Sequence, residues 1–283
     1  GTTIGVAPDA QWIGVKIFDD AGVASNSAIH AAFQWLLDPD GNPETDDAPD
    51  IVNNSWGYEA EWDICDDFTL LFQADLQALK AAGIAVVFSA GNQGPAQSSS
   101  VAPANYPESF AVGSVGTLNS ATDISDFSSR GPSACDGTIY PELVAPGYAV
   151  KSSYPVDAES GRPPYLWVSG ASFSASHVSG AMALLLEAFP DTSIAELESA
   201  LTRSATDLGQ AGADNSYGYG LLDLRAAYNA LNGQSGLSVT DSVPPQIDGR
   251  IDFGAVPPDG IASASVRVRN TGSLPLRLGE IDA

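Results

Sequence analysis

Short apolar runs alternate with longer amphipathic segments over the first 230 residues, and this alternation constrains the fold more than any other feature. Residues 10–18, 50–56, 84–92 and 109–116 are short runs rich in β-branched and aromatic side chains. Residues 25–38 and 67–83 carry apolar side chains at helical spacing. Strands separated by helices predict βαβ units and a mostly parallel sheet. The fold class is therefore α/β, with helices on both faces of the sheet.

Local signals mark where several helices begin and end. Ser25 or Asn26 can cap the first helix, and Gly83 closes the second. Ser193 stands three residues before Glu196, which is the capping-box pattern. These signals predict helix boundaries independently of the apolar pattern.

The composition changes near residue 233, and this change predicts the domain organisation. Residues 234–246 are rich in Gly, Ser and Pro and predict a linker. Beyond them, residues 263–270 and 275–281 alternate apolar and polar side chains around a turn, which predicts a β-hairpin. We therefore expect a main domain over 1–233, a linker, and over 247–283 a short all-β segment that is too short to be stable alone. This segment either begins a β-sandwich-like module or supplies strands that dock on the main domain.

The charge and the cysteines limit the partners and the compartment. The formal charge is −24, from 35 acidic and 11 basic side chains, so nucleic acid and anionic membranes are poor partners. No apolar run is long enough to span a membrane. Cys65 and Cys135 lie in polar contexts and favour a single disulfide over two free thiols. Together these features predict an extracellular, secreted or cell-surface protein.

A dense acidic run occupies residues 38–50, "DPDGNPETDDAPD". A solvated loop is the first interpretation, and structural calcium bound by its oxygen ligands is the alternative. No cofactor is required by any chemistry that the sequence indicates.

Ser172 is the candidate nucleophile. Residues 166–168 predict a strand that runs into "SGAS", and the side chains after Phe173 follow helical spacing, so Ser172 lies at a helix start. Unpaired N–H groups and a partial positive charge at that end favour an oxyanion, and Gly170 allows a substrate chain to approach. Helix capping alone would also explain this serine. The neighbouring sequence therefore has to decide between the two roles.

The sequence around Ser172, "GASFSASHVSG", resembles the nucleophile motif of the subtilisin-like serine peptidases, the subtilases. "FSAGNQGP" resembles the oxyanion-hole segment of that family, which implies this role for the amide of Asn92 together with the Ser172 N–H. Further matching segments follow the family's order over about residues 1–230: "GVAPDAQWIGVKIF", "IVNNSWG", "VAPANYPESFAVGSVG", "DFSSRGP" and "ELVAPG". "NNSWG" together with "FSSRGP" indicates a bacillopeptidase F-like or large secreted bacterial branch. Ala171 and Ser176 depart from the family's usual threonine and proline.

The resemblance implies the remaining site residues and a subtilisin-like three-layer fold. The substrate-binding residues would be Ser55, Trp56, Gly57, Ser89, Ala90 and Gly91, with a polypeptide as substrate. The family also implies a cis peptide bond between Ala102 and Pro103.

No histidine of this chain has the position of a catalytic base. In the family, an aspartate and a histidine precede the segment where this chain starts. His177 is turned by about 140° from Ser172 on their helix, and His30 lies on a helix without a catalytic residue in the family. We therefore expect a fragment that is incomplete at its N-terminus and inactive alone, with the missing N-terminal part of the same protein as a partner.

Three other functions compete with that of a serine endopeptidase. A non-catalytic peptide-binding module with a peptidase fold remains the alternative. An α/β-hydrolase esterase requires a histidine after the serine, and only His177 on the same helix follows. A carboxylate-based glycosidase has only the abundance of acidic residues in its favour.

Overall fold

The computed structural model describes residues 4–58, 65, 70–154, 165–233, 237–241, 263 and 266–270. The chain divides into two compact units, residues 1–223 and residues 224–283. The domain boundaries expected at 233 and 246 stay predictions.

A parallel sheet forms the centre of the first unit. Its strands are β1 (Ile51–Asn54), β2 (Ala85–Ser89), β3 (Phe110–Val115) and β4 (Leu143–Pro146), and their order in the sheet is β1-β2-β3-β4. Each neighbouring pair is parallel, with Ile51 opposite Ala85 at one end of the register. Every residue of β2 and β3 is buried, as expected for strands covered on both faces.

The first unit also contains helices, and predicted caps mark the start of two of them. They are α1 (Asn26–Leu36), α2 (Gln73–Ala81), α3 (Ala171–Ala188) and α4 (Ile194–Ser204). Ser25 caps α1 by accepting from the Ala28 N–H at 3.2 Å. At the start of α4, Ser193 and Glu196 form the predicted capping box.

The layers meet at β2, whose successive side chains point to opposite faces of the sheet. Val86 and Phe88 pack in one apolar cluster with side chains of α1 and α2, among them Phe33 and Leu79. The long helix α3 packs against all four strands and contributes no side chain to that cluster. The arrangement is the predicted α/β fold with helical layers around a parallel sheet.

The strand predicted over residues 10–18 is wrong, because the structure gives these residues no strand pairing. A strand needs backbone partners, and among the described strands β1 lies at the edge of the sheet with only β2 beside it. Most apolar side chains of the segment are exposed to solvent, with Trp12 at 87% and Ile13 at 50%, whereas Ile17 packs against the core. Within the described residues, this segment therefore pairs with no strand, although its composition is typical of one.

A two-stranded antiparallel ribbon precedes α3. Its strands are β5 (Val150–Ser153) and β6 (Tyr165–Val168), paired with Lys151 opposite Trp167. The strand predicted over residues 166–168 is confirmed, and it delivers the chain to Ser172 only four residues later.

The second unit contains α5 (Leu224–Leu231) and the antiparallel pair β7 (Leu237–Asp241) and β8 (Val266–Asn270). Residues 237–241, which lie inside the predicted linker, form the strand β7, and the linker assignment as a whole stays a prediction. The sequence of this segment, "LSVTD", alternates apolar and polar residues, a period that suits a strand better than a flexible linker. Residues 275–281, expected to pair with residues 263–270 in a hairpin, lie outside the described residues.

Two expectations about the covalent chain are confirmed. Cys65 and Cys135 form a disulfide with a Cα–Cα distance of 4.6 Å. The peptide bond between Ala102 and Pro103 is cis. In the described part of the chain, no helix combines the length and apolar character needed to cross a membrane.

Candidate active site

The carboxyl ends of β1 and β2 meet the start of α3 at a small cavity. Because neighbouring parallel strands end at the same edge of a sheet, the loops that follow them converge there. The cavity has a volume of about 100 Å³ and is open on one side. It is lined by Ser55, Trp56, Gly57, Tyr58, Ser89, Gly91, Asn92, Gln93, Val101 and Ser172.

Ser172 lies in the first turn of α3 and is half-buried. Gly170 precedes the helix with φ 154°, a backbone angle that disfavours residues with a side chain. The first N–H groups of a helix have no intrahelical acceptor, so the backbone at Ser172 offers a donor and a partial positive charge. The hydroxyl and its own N–H therefore stand beside the cavity together.

Asn92 follows β2 on the other side of the cavity. Its Oδ1 accepts from the Ala171 N–H at 2.9 Å, a hydrogen bond between residues 79 positions apart. This bond fixes the carboxamide and leaves its Nδ2 as the donor available to the cavity. Gly91 makes the turn possible, because its φ is 96° and an added Cβ would lie 2.7 Å from Ser129 Oγ.

The predicted substrate-binding residues divide between the cavity and the core. Ser55, Trp56, Gly57, Ser89 and Gly91 line the cavity. Ser55 Oγ donates to the carbonyl oxygen of Ser172 at 3.3 Å. Ala90 is fully buried and its N–H bonds to the Val112 carbonyl at 2.9 Å, so it belongs to the sheet rather than to the cavity wall.

The sequence reasoning missed three lining residues. Tyr58 and Gln93 directly follow predicted residues in the chain, so slightly longer segments of the same loops would have included them. Val101 comes from a separate loop and opens the matched segment "VAPANYPESFAVGSVG", to which no site role was assigned. The structure also shows that Trp56 is anchored inward, since its Nε1 donates to Asn54 Oδ1 at 3.1 Å.

Both histidines of the chain are bonded away from Ser172. His30 Nδ1 donates to Asp75 Oδ2 at 2.7 Å, which links α1 to α2. His177 Nδ1 donates to the Phe173 carbonyl at 2.8 Å within α3. Neither imidazole has a hydrogen bond to the Ser172 hydroxyl, and the sequence contains only these two.

Acidic groups lie elsewhere. Among the residues that the structure describes, none that lines the cavity beside Ser172 is charged. In the predicted acidic loop, the carboxylates of Asp38, Asp40 and Asp47 lie within 4.8 Å of one another. Calcium binding by this loop stays a prediction of the sequence.

A second cavity, of about 310 Å³, contains the most perturbed carboxyl group of the described residues. Burial raises the pKa of Glu142 to about 8, although the Ala111 N–H donates to its Oε2 at 2.6 Å and favours the charged form. Burial also raises the pKa of Glu198, against the opposing effect of Lys80, whose Nζ bonds both carboxylate oxygens at 3.0 and 3.1 Å. This cluster lies near the amino-terminal ends of β3 and β4, at Phe110 and Glu142, whereas Ser172 lies at the carboxyl ends of β1 and β2.

Comparison with known proteins gives three informative relatives. Bacillopeptidase F of Bacillus subtilis (strain 168) is 39% identical over 268 residues, which is 86% of this chain and 17% of that protein. Subtilisin DY of Bacillus licheniformis is 32% identical over 226 residues, 79% of this chain and 70% of the relative. Subtilisin E of Bacillus subtilis (strain 168) is 30% identical over 228 residues, 79% of this chain and 50% of the relative.

The family match agrees with the resemblance of the motifs. The subtilase family, peptidase S8, matches residues 1–220, which include Ser172, Asn92 and all the residues that line their cavity. The fold described above is consistent with that family. The chain therefore belongs to the subtilase family.

Proposed function

We propose that this chain carries the nucleophile, the oxyanion site and part of the substrate cleft of a serine endopeptidase. The observation that supports this most is the common cavity of Ser172 and Asn92, with the Asn92 carboxamide held by the Ala171 N–H. A hydroxyl next to two N–H donors suits acyl transfer, because negative charge develops on the substrate carbonyl oxygen.

The proposed reaction follows the serine-peptidase scheme. The Ser172 oxygen attacks the scissile carbonyl while a histidine takes its proton, and the oxyanion accepts from Asn92 Nδ2 and the Ser172 N–H. The histidine then protonates the leaving amine, which leaves an acyl-enzyme on Ser172. Water, activated by the same histidine, releases the carboxylic acid and restores the serine hydroxyl.

We further propose that the histidine and its orienting aspartate come from polypeptide outside these 283 residues. Two observations support this. His30 and His177 are both engaged in other hydrogen bonds. Most apolar side chains of residues 10–18 are exposed, and among the described strands β1 is an edge of the sheet, so both offer surface suited to an additional strand. The chain alone is then inactive, because an unassisted serine hydroxyl is a weak nucleophile.

The proposed substrate is a polypeptide in extended conformation, and the proposed compartment is extracellular or at the cell surface. The open cavity at the strand ends suits a side chain of a peptide whose backbone passes Ser55 and Ser172. A disulfide and a formal charge of −24 fit an oxidising compartment and a soluble acidic surface.

The test compares two proteins on a fluorogenic peptide substrate. One is the 283-residue chain, and the other is the chain extended upstream in its own gene. We expect no turnover from the first and turnover from the second that Ser172→Ala abolishes. His30→Gln and His177→Gln in the extended protein should leave kcat within about twofold, since neither histidine acts on the serine. Turnover from the short chain that depends on Ser172 would overturn the proposal.

A peptide-binding module without catalysis is the second candidate. The engagement of both histidines elsewhere favours it for the chain as it stands. An upstream gene segment without the aspartate or histidine, together with an inactive extended protein that still binds peptides, would establish this function instead.

A further inference from the structure

The two asparagines of the "NNS" sequence at the end of β1 face opposite sides of the sheet. Asn54 is buried, donates from Nδ2 to the Val87 carbonyl at 3.4 Å and accepts from Trp56. Asn53 is exposed, and its side chain forms hydrogen bonds with Ser55, which lines the cavity of the candidate nucleophile, and with Ser179 of α3. The buried asparagine supports the cavity wall, whereas the role of Asn53 needs a separate explanation.

A chain of hydrogen bonds joins Asn53 to Ser172. Asn53 Nδ2 donates to Ser55 Oγ at 3.2 Å, and Ser55 Oγ donates to the Ser172 carbonyl at 3.3 Å. On the other half of the carboxamide, Ser179 Oγ lies 3.1 Å from Asn53 Oδ1 and 3.0 Å from the Ala175 carbonyl oxygen, so its one hydrogen is shared between these two acceptors. Ser179 lies two helical turns after Ser172. Asn53 therefore contacts α3 directly at Ser179 and, through Ser55, at Ser172.

The direction of these bonds depends on the amide. Because Nδ2 can only donate, it makes the Ser55 oxygen an acceptor and leaves the Ser55 hydrogen for the Ser172 carbonyl. A carboxylate at the same position would only accept, so the Ser55 hydrogen would turn towards it and away from Ser172.

We propose that Asn53 is a positioning residue for the nucleophile, which orients the Ser55 hydroxyl so that it holds the first turn of α3 against the end of β1. This inference rests on the proposed function of Ser172. The same peptide segment carries the Ser172 N–H that would bind the oxyanion, and a site of this kind loses rate when its donors shift by a fraction of an ångström. Ser176 Oγ also donates to the Ser172 carbonyl, at 3.1 Å, but from within α3, so it cannot hold the helix to β1.

The first experiment uses the 283-residue chain and needs no activity. Amide hydrogen exchange is measured in residues 171–176 for Asn53→Asp and Ser55→Ala. We expect exchange about threefold to tenfold faster in both, because each loses one hydrogen bond that holds this turn. Ser179→Ala is the matched control, since it removes one partner of Asn53 but keeps the hydrogen bond from Asn53 Nδ2 to Ser55 Oγ. It should therefore change amide exchange less than the other two variants. Unchanged exchange in Asn53→Asp would overturn the positioning role even if the protein proves to be a peptidase.

The second experiment is a double-mutant cycle in the upstream-extended protein. Asn53→Asp and Ser55→Ala should each lower kcat about threefold to tenfold with KM nearly unchanged, and the double variant should resemble either single variant. A merely structural role would lower the melting temperature without this split between kcat and KM. Additive effects, or an unchanged kcat in Asn53→Asp, would contradict the inference. An extended protein that is inactive before any substitution would instead refute the proposed function, and the exchange experiment would still decide the position of Asn53.

Discussion

The backbone N–H of Ala171 donates to Oδ1 of Asn92 at 2.9 Å, so the residue before the candidate nucleophile orients the candidate oxyanion donor. One half of the carboxamide is used for this bond, and the other half remains for the substrate. The two groups that would stabilise the oxyanion are therefore coupled through one hydrogen bond between the end of β2 and the start of α3. A substitution at Asn92 can separate these two roles.

Asn92→Asp and Asn92→Ala in the upstream-extended protein test the donor. Aspartate keeps the acceptor for Ala171 but puts an anionic oxygen where Nδ2 stood, so we expect it to lower kcat more than alanine does. For loss of the donor alone we expect a decrease of about 10²–10³ in kcat, which is the known cost of removing the oxyanion-hole asparagine of subtilisin, a member of the same family. Steady-state kinetics give the comparison, with melting temperatures as the control for folding. Near-normal kcat in Asn92→Asp would contradict the assigned role.

Exposure of residues 10–18 predicts a difference in hydrogen exchange between the short and the extended protein. In the 283-residue chain their amides should exchange rapidly, because these residues lack strand pairing. In the extended protein we expect them to be protected by at least about tenfold, since an added strand would bond their backbone. Residues 85–89 of the buried strand β2 serve as the internal reference. Equal exchange of residues 10–18 in both proteins would contradict an added strand at this surface.

The sequence predicted features that depend on neighbours along the chain. The apolar stripe of α1 and the Ser193–Glu196 box are local, so periodicity and capping were sufficient to find them. The strand prediction for residues 10–18 failed because pairing depends on a partner strand and not on composition. β4 was not predicted as a strand, since its short run ends at Pro146 and a proline argues against a strand.

The site residues that lie in a recognisable motif could be predicted from the sequence, whereas those placed by contacts between distant segments could not. Ser172 and Asn92 could be identified from "GASFSASHVSG" and "FSAGNQGP". The contact of Asn53 with Ser179 joins residues 126 positions apart. No local pattern marks such residues, because their partners are set by how β1 packs on α3.

The disulfide predicts a loss of stability on substitution. Cys65 and Cys135 are 70 residues apart, and closing a loop of that length restricts the unfolded chain strongly. We expect the double variant Cys65→Ser, Cys135→Ser to lose about 2–4 kcal/mol of unfolding free energy. That corresponds to a melting temperature lower by about 4–15 °C for a chain of this size. Ser199→Ala, at an exposed position of α4, is the control, and an unchanged melting temperature in the double variant would refute the assignment of a stabilising role.

Glu142 predicts how stability depends on pH. Burial raises its pKa in the folded protein from 4.5 to about 8, so between these values the folded state holds a proton that the unfolded state releases. Stability from this group is full below about pH 4.5 and is lost as pH rises through 8. One pKa unit corresponds to about 1.4 kcal/mol of free energy. Water in the 310 Å³ cavity beside Glu142 would screen its charge, so we expect the unfolding free energy to fall by about 1–2 kcal/mol, less than the full pKa shift implies. Glu142→Gln keeps an acceptor for the Ala111 N–H and should therefore melt higher than the parent chain at pH 8 and nearly equally at pH 4.5. Glu187→Gln, at an exposed position of α3, should change neither value, and a Glu142→Gln curve parallel to that of the parent across this range would contradict the raised pKa.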